Sequence, residues 1–326
     1  MDVSDCLADL VGNTPLVRLR RLAPGLKHNL LGKCEFLNPG GSVKDRIAFH
    51  MVAAAEKAGI LKPGGTIVEA TAGNTGIGLA LAAALGGYKL ITVMSEKVSK
   101  DKVKMLEALG AEVVIVPAGK AISDPEHFMN RARALAESSG GWLADQFNNA
   151  SNVEAHYQST GPEIWKQTDG GVDVLVVGVG TGGTLTGAGR YLKERKPSLK
   201  IVLADPAGSM LAGLVRGEKS ASASYIVEGI GQDFVPGNFD MSLVDDVVQV
   251  SDAESVRMAK LTLQKEAMFV GSSSGCILSA ALTYGESMAD ERRNIVAILP
   301  DGGRGYISTI YDDDWLKTKL PQTTIG

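Results

Sequence analysis

One lysine stands where a lysine is not expected. In the run Asn38-Pro39-Gly40-Gly41-Ser42-Val43-Lys44-Asp45-Arg46, a glycine-rich turn delivers Lys44 to the start of an apolar helical pattern of Ile47, Ala48, Met51, Val52 and Ala55. Ser42 is the expected N-cap, with Asp45 and Arg46 in the first turn. A cation is disfavoured at the positive end of a helix dipole. The position therefore suits an amine that must become neutral and nucleophilic, as a Schiff-base lysine does. Taken alone, a solvated lysine opening a surface helix is the simpler reading. Three further motifs turn the reading toward chemistry.

Thr71-Ala72-Gly73-Asn74-Thr75-Gly76 runs from a strand pattern into a helix pattern. Backbone N–H groups, two threonine hydroxyls and a helix start make a nest for a small anion such as a carboxylate. Asn74 adds an amide that could hold a phenolate-like oxygen. Gly180-Thr181-Gly182-Gly183-Thr184 follows another strand and offers a phosphate cradle by the same physics. Gly178, Gly180 and Gly183 also spell a dinucleotide fingerprint, with Asp205 at the distance of a ribose-binding acid. That rival leaves Lys44 and the Asn74 loop unused. Gly271-Ser272-Ser273-Ser274-Gly275 places neutral hydroxyls before an apolar helix, where one could meet a ring nitrogen. The four pieces ask for an aldehyde, a ring oxygen, a phosphate and a ring nitrogen. Pyridoxal 5'-phosphate has all four.

The elements that must position these loops alternate along the chain. Strand patterns fall at 30–36, 66–70, 89–94, 112–117, 142–145, 173–179, 200–205, 246–250 and 294–299. Helix patterns fall at 43–58, 75–85, 100–109, 125–137, 154–167, 182–195, 253–267 and 276–287. Such alternation predicts an α/β fold with mostly parallel sheets. Val174-Leu175-Val176-Val177 is continuously apolar, as a strand covered on both faces must be. Ligands of such sheets lie beyond the carboxyl ends of strands, where the glycine loops fall. Residues 208–224 read as a mobile connection.

Composition narrows the class. Among 326 residues, 44% are hydrophobic and the net charge is −4, which gives no basic field for nucleic acid or an anionic membrane. Cys6, Cys34 and Cys276 have no metal-ligand spacing and leave an odd thiol, which fits a reducing cytoplasm. No signal segment or membrane-length apolar run is found, and a cytoplasmic protein is expected. No metal site is expected. His28, His50, His127 and His156 read as structural or surface residues, and Asp312-Asp313-Asp314 as a solvated turn.

From Gly12-Asn13-Thr14-Pro15-Leu16 to Leu299-Pro300-Asp301, the chain resembles the fold-type-II pyridoxal-phosphate enzymes of the cysteine synthase/cystathionine β-synthase family. The resemblance implies a two-domain α/β fold like the tryptophan synthase β chain, with mostly parallel twisted sheets flanked by helices. A smaller mobile domain is expected at residues 35–145, and a larger phosphate-binding domain at 1–34 and 146–326. Lys44 would be the Schiff-base and catalytic lysine, and Asn74 the partner of the ring hydroxyl. Gly180, Thr181, Gly182, Gly183 and Thr184 would hold the phosphate, and Ser273 would face the pyridine nitrogen. Thr71, Ala72, Gly73 and Thr75 would bind the substrate carboxylate with Gln146 nearby. Gly229, Gly231 and the following Gln232 would form the active-site glycine loop. Where the family usually carries serine, Ala72 lacks the hydroxyl.

The resemblance further implies β-replacement on L-serine or an activated serine by a thiol, through an aminoacrylate, in a homodimer. Asp145 to Asn152, Asp205 to Ser209 and Val227 to Gly231 look more like cystathionine β-synthases, which points to homocysteine as the thiol and cystathionine as product. Cystathionine synthases tend to carry tyrosine at position 232 and cysteine synthases alanine; here it is Gln232. Cysteine synthase therefore stays open, as do a related β-substituted alanine synthase and, from other classes, a nicotinamide-dependent oxidoreductase and a non-catalytic protein on this fold. The expected extent is a bare catalytic core.

Overall fold

The computed structural model describes residues 3–320 apart from 72, 97, 99 and 290. The chain begins with β1 (Leu16–Arg18), β2 (Asn29–Cys34), α1 (Lys44–Lys57), β3 (Thr66–Ala70), α2 (Asn74–Gly86) and β4 (Lys89–Ser95). It continues through α3 (Lys100–Ala108), β5 (Glu112–Val116), α4 (Phe128–Ser139), β6 (Trp142–Leu143), α5 (Ala150–Ala155) and α6 (Gly161–Gln167). Then follow β7 (Val174–Gly178), α7 (Gly183–Arg195), β8 (Lys200–Pro206), α8 (Leu211–Val215) and β9 (Asp246–Val250). The last elements are α9 (Asp252–Glu266), α10 (Ser272–Ser287), β10 (Asn294–Leu299) and α11 (Asp313–Lys319). The described residues group into two units: those up to Val11 with Asn38–Ala155, and Gly12–Leu37 with those from His156 onward.

In the first unit a parallel sheet runs β5-β4-β3-β6. Side chains of a strand alternate between faces, so β3 feeds two cores. Ile67 packs with Met51, Leu79, Leu90 and Leu106 on one face, while Val68 and Ala70 pack with Ala132 and Ala136 of α4 on the other. The second unit has a sheet in the order β1-β2-β10-β7-β8-β9, parallel except for β1. In β7, Val174 and Val176 face Ile277 and Leu278 of α10, whereas Leu175 and Val177 face Leu185 and Leu192 of α7. Burial on both faces is what the uninterrupted apolar run of β7 requires.

Several sequence expectations are corrected. The pattern at 154–167 is not one helix: α5 passes through a π-helical turn at His156–Thr160 into α6, which opens with Pro162 in its first turn. Proline lacks the N–H that an unbroken helix would need there. Residues 208–224 contain α8, and the N–H of Ala223 bonds the carbonyl of Gly208 at 2.7 Å. Helix α10 starts at Ser272 rather than 276, because Gly271, in an extended conformation, is the N-cap and the three serines form its first turn. Asp312 does not sit in a plain turn: its carboxylate accepts the N–H groups of Asp314 and Trp315 and caps α11.

Candidate active site

In the first unit Lys44 is the first residue of α1, and it is half-buried. Val43 takes the N-cap position that the sequence suggested for Ser42, but the Ser42 hydroxyl still accepts the Lys44 N–H at 3.2 Å. Asp45, fully buried, reaches back to accept the N–H of Gly40. A Cβ on Gly40 would lie 2.5 Å from the Asp45 carboxylate, so only glycine fits. Gly41 turns the chain with φ +83°, its N–H bonded to the carbonyl of Asn38. The carboxylate thus locks the turn and places a negative charge at the dipole's positive end, which offsets the cost of the neighbouring lysine.

The loop 71–75 belongs to the same end of the same unit. A Cβ on Gly78 of α2 would stand 2.8 Å from Cβ of Ala48 and 3.2 Å from the carbonyl of Lys44, so the first turns of α1 and α2 touch. Asn74 opens α2 behind Gly73, whose φ of +136° only glycine adopts readily. The Gly73 N–H bonds Oγ1 of Thr71 at 3.1 Å. The Thr75 hydroxyl donates to Oε1 of Gln146 at 2.6 Å, and Nε2 of Gln146 donates to the carbonyl of Ala70 at 2.9 Å. Gln146 in turn gives its N–H to the buried Glu69. Lys44, Thr71, Gly73, Asn74, Thr75 and Gln146 are therefore brought together; Ala72 lies outside the described residues.

In the second unit the loop after β7 turns into α7 through Gly182, which has φ +89° and no side chain to cap the helix. Its Cβ would fall 2.6 Å from Cα of Phe239, and one on Gly180 would fall 2.3 Å from the carbonyl oxygen of Gly229. Larger residues have no room at either place. No side chain caps the first turn of α7, whose N–H groups have no partner within the helix, and Thr181 and Thr184 stand beside them. Gly229 and Gly231 both have positive φ, and the Gly231 N–H bonds the carbonyl of Val179 at 2.8 Å. Gln232 donates from Nε2 to the carbonyl of Gly180 at 2.8 Å.

At the start of α10 all three serines are buried. Ser272 accepts the N–H of Glu228 at 3.1 Å, and Ser273 faces Oδ1 of Asp301 at 3.5 Å. The other oxygen of Asp301 takes the Tyr306 hydroxyl. Oγ of Ser274 is buried with no hydrogen-bond partner among the described residues. Taken unit by unit, these residues are of the kinds pyridoxal phosphate requires: in the second unit a side-chain-free helix start suited to a phosphate and buried neutral hydroxyls, in the first a lysine at a helix N-terminus.

Asp205 is fully buried, and its Oδ2 accepts the N–H of Ala212 at 2.9 Å. It anchors α8, which leaves the dinucleotide reading without its ribose-binding acid. Two further residues, Glu69 and His156, support the loops. Glu69 is a carboxylate inside an apolar strand, a pattern break that could have flagged it. His156, read as structural, contacts Thr184 of the glycine loop and carried no such signal. Burial pushes the thiols of Cys34 and Cys276 up to about 12, so neither is a poised nucleophile.

Residues 7–301 match the family described as "Pyridoxal-phosphate dependent enzyme". Cystathionine beta-synthase of Apis mellifera is 45% identical over 312 residues, covering 95% of this chain and 62% of the relative. That of Rattus norvegicus is 46% identical, covering 95% and 55%. This chain thus spans little more than half the length of those relatives. Cysteine synthase 1 of Emericella nidulans is 43% identical over 321 residues, covering 96% of this chain and 86% of the relative. Among solved structures, O-ureido-L-serine synthase superposes with a TM-score of 0.88 at 37% identity, covering 96% of this chain and 99% of its own. These matches agree with the parallel sheets, the lysine at the start of α1 and the glycine loop before α7: the chain belongs to the pyridoxal-phosphate dependent enzymes of fold type II, in the group that holds the cystathionine β-synthases and cysteine synthases.

Proposed function

We propose that the protein catalyses β-replacement on L-serine or an activated L-serine, with a thiol as the incoming group, homocysteine giving cystathionine. The observation that carries this reading is the Thr75–Gln146 hydrogen bond behind the start of α2. It spends the Thr75 hydroxyl proton on fixing the start of α2, whose first-turn N–H groups would take an amino-acid carboxylate next to Lys44. The identities to cystathionine beta-synthases support the choice of thiol.

The cofactor supplies an aldehyde that accepts an amine and a ring that withdraws electrons from the substrate's Cα. Lys44 Nζ would hold that aldehyde, and its amine, when free, would take the proton from the substrate's Cα as general base. Asn74 orients the ring oxygen, and Ser273 gives the ring nitrogen a neutral partner, which does not force it to be protonated. Gly180, Thr181, Gly182, Gly183 and Thr184 bind the phosphate through backbone N–H groups, hydroxyls and the α7 dipole. Thr71, Gly73 and Thr75 bind the substrate carboxylate, with Ala72 in the same loop. Gly229 and Gly231 would close the substrate end, with Gln232 following them in the loop. Water exclusion by the smaller domain, residues 35–145, protects the reactive species.

Cysteine synthase, using O-acetylserine and sulfide, is the second reading. The 43% identity to cysteine synthase 1 of Emericella nidulans supports it, while Gln232 matches neither the tyrosine nor the alanine of the two types. The test is to titrate the yellow holoprotein with L-serine and with O-acetylserine, then add homocysteine or sulfide and identify the product by mass spectrometry. Cystathionine from serine and homocysteine supports the first reading, and cysteine formed only from O-acetylserine replaces it with the second. An apoprotein that takes up no pyridoxal phosphate sinks both. The family resemblance also supports a cytoplasmic homodimer, to be checked by light scattering. Among the described residues no helix is long and apolar enough to cross a membrane.

A further inference from the structure

The side chain of Gln232 is committed to the backbone of a neighbouring loop rather than to substrate. Its Nε2 lies 2.8 Å from the carbonyl oxygen of Gly180, in the loop after β7. A carbonyl can only accept, so the amide nitrogen must face it. The backbone of the same residue is held from a second loop. Its N–H donates to Oγ of Ser209 at 3.0 Å, and its carbonyl accepts the N–H of Met210 at 3.0 Å. One residue back, Gly231 gives its N–H to the carbonyl of Val179, and two further back the carbonyl oxygen of Gly229 abuts Gly180 without room for a Cβ. The loops that leave β7 and β8 are thus tied to each other through residue 232.

We infer that Gln232 is a positioning residue for the phosphate loop, bracing Gly180 from behind, rather than a side chain that selects the incoming thiol. The inference rests on the reading of residues 180–184 as the phosphate site. The physical case is simple. A peptide carbonyl at Gly180 that is pinned on one side fixes the plane of the 180–181 peptide, and with it the direction of the next N–H. An unpinned glycine loop has several conformations of similar energy, and a phosphate would have to order it on binding. Alanine at 232 has no donor to supply this bond. Glutamate is isosteric but offers only acceptors, so it turns the bond into a repulsion between two oxygens.

The experiment compares wild type, Gln232→Ala and Gln232→Glu as holoproteins reconstituted with pyridoxal phosphate. Three things are read: the rate of cofactor release into an excess of a competing apoprotein, the 31P resonance of the bound phosphate, and KM for the thiol against kcat. Release is expected to quicken about tenfold in Gln232→Ala, the worth of one ordinary hydrogen bond, and further in Gln232→Glu. The 31P resonance should shift in both, while KM for the thiol stays within about twofold of wild type. Melting of the variant apoproteins should match that of the wild-type apoprotein. Unchanged release and an unchanged 31P resonance overturn the inference, as does a tenfold change in thiol KM without faster release. A variant apoprotein that fails to fold also overturns it, since the role would then belong to the fold. A wild-type apoprotein that never turns yellow with pyridoxal phosphate overturns instead the reading beneath it.

Discussion

Nε2 of His156 lies 3.1 Å from the hydroxyl oxygen of Thr184, so a buried imidazole meets the first turn of α7 from the π-helical turn that precedes α6. Its Nδ1 stands 2.8 Å from Oγ1 of Thr160, one turn further along. A neutral imidazole has one donor and one acceptor, and a hydroxyl can serve as either. Whichever tautomer is present, the chain Thr160–His156–Thr184 fixes where the Thr184 hydroxyl can point. The ring is 1% exposed, so no water competes for these bonds. His156→Phe keeps most of the volume and removes both bonds. Cofactor affinity, followed by fluorescence as apoprotein is titrated with pyridoxal phosphate, is expected to fall about tenfold. An unchanged affinity would show that Thr184 needs no support.

Glu69 makes the stability of the first unit depend on pH. Burial pushes its carboxyl up to about 8; the hydrogen bond from the Gln146 N–H opposes that rise, and the nearby Asp145 charge adds to it. A carboxyl whose folded value exceeds its unfolded one holds its proton more tightly in the folded state. Its contribution is therefore full below the ordinary value of 4.5 and is lost as pH rises to about 8. Glu69→Gln keeps an oxygen for the Gln146 N–H and cannot ionise. Relative to wild type, this variant is expected to gain in Tm between about pH 5 and about pH 8. A Tm difference that stays flat across that range would show that Glu69 titrates elsewhere.

The loops of the site were legible because their composition carries the physics. Glycine, threonine and asparagine between an apolar strand and an apolar helix mark a helix start that can take an anion, and residues 71–76 and 180–184 both fall there. The strands 66–70, 246–250 and 294–299 match the sequence pattern at both ends. What escaped was set by distant partners. Serine is a weak helix former, so the pattern placed the start of α10 after the serines; burial and the bond from the Glu228 N–H to Ser272 hold them in the helix. Strand β1 is three residues long and exists through antiparallel pairing with β2. The bond between Gln232 and Gly180 joins residues far apart in the chain and leaves no trace in local spacing.

Gly78 tests how closely α1 and α2 must approach to set Lys44 beside the carboxylate loop. In Gly78→Ala the new methyl would stand 2.8 Å from Cβ of Ala48 and 3.2 Å from both the Lys44 carbonyl and Cα of Asp45. The gain in helix propensity is at most about 1 kcal/mol. Overpacking at a backbone contact costs about 1–3 kcal/mol, so the helices must separate. The expected variant has a lower Tm and a raised KM for the amino acid. Wild-type values for both would mean that the contact is slack. Gly78→Val should be worse than Gly78→Ala, since its side chain is larger and its χ1 is restricted in a helix.

Lys33 offers a test of the second unit that should leave the chemistry alone. Near the C-terminal end of β2 its ammonium is fully buried, donating to the carbonyl of Thr14 at 2.7 Å and to Oε1 of Gln167 at 3.0 Å, and pairing with Glu163. Gln167 also donates to the Thr14 carbonyl at 2.8 Å, so the group is a closed network. A buried pair adds little over apolar packing, but removing one partner strands the other. Lys33→Ala is therefore expected to destabilise the unit by about 3–5 kcal/mol. Lys33→Met combined with Glu163→Gln, which removes both charges and keeps the volume, should cost well under half of that. Chemical denaturation of wild type, Lys33→Ala and the double variant measures the difference, with the colour of bound pyridoxal phosphate as a control. A loss below about 1 kcal/mol in Lys33→Ala would mean that water reaches Glu163 once the lysine is gone.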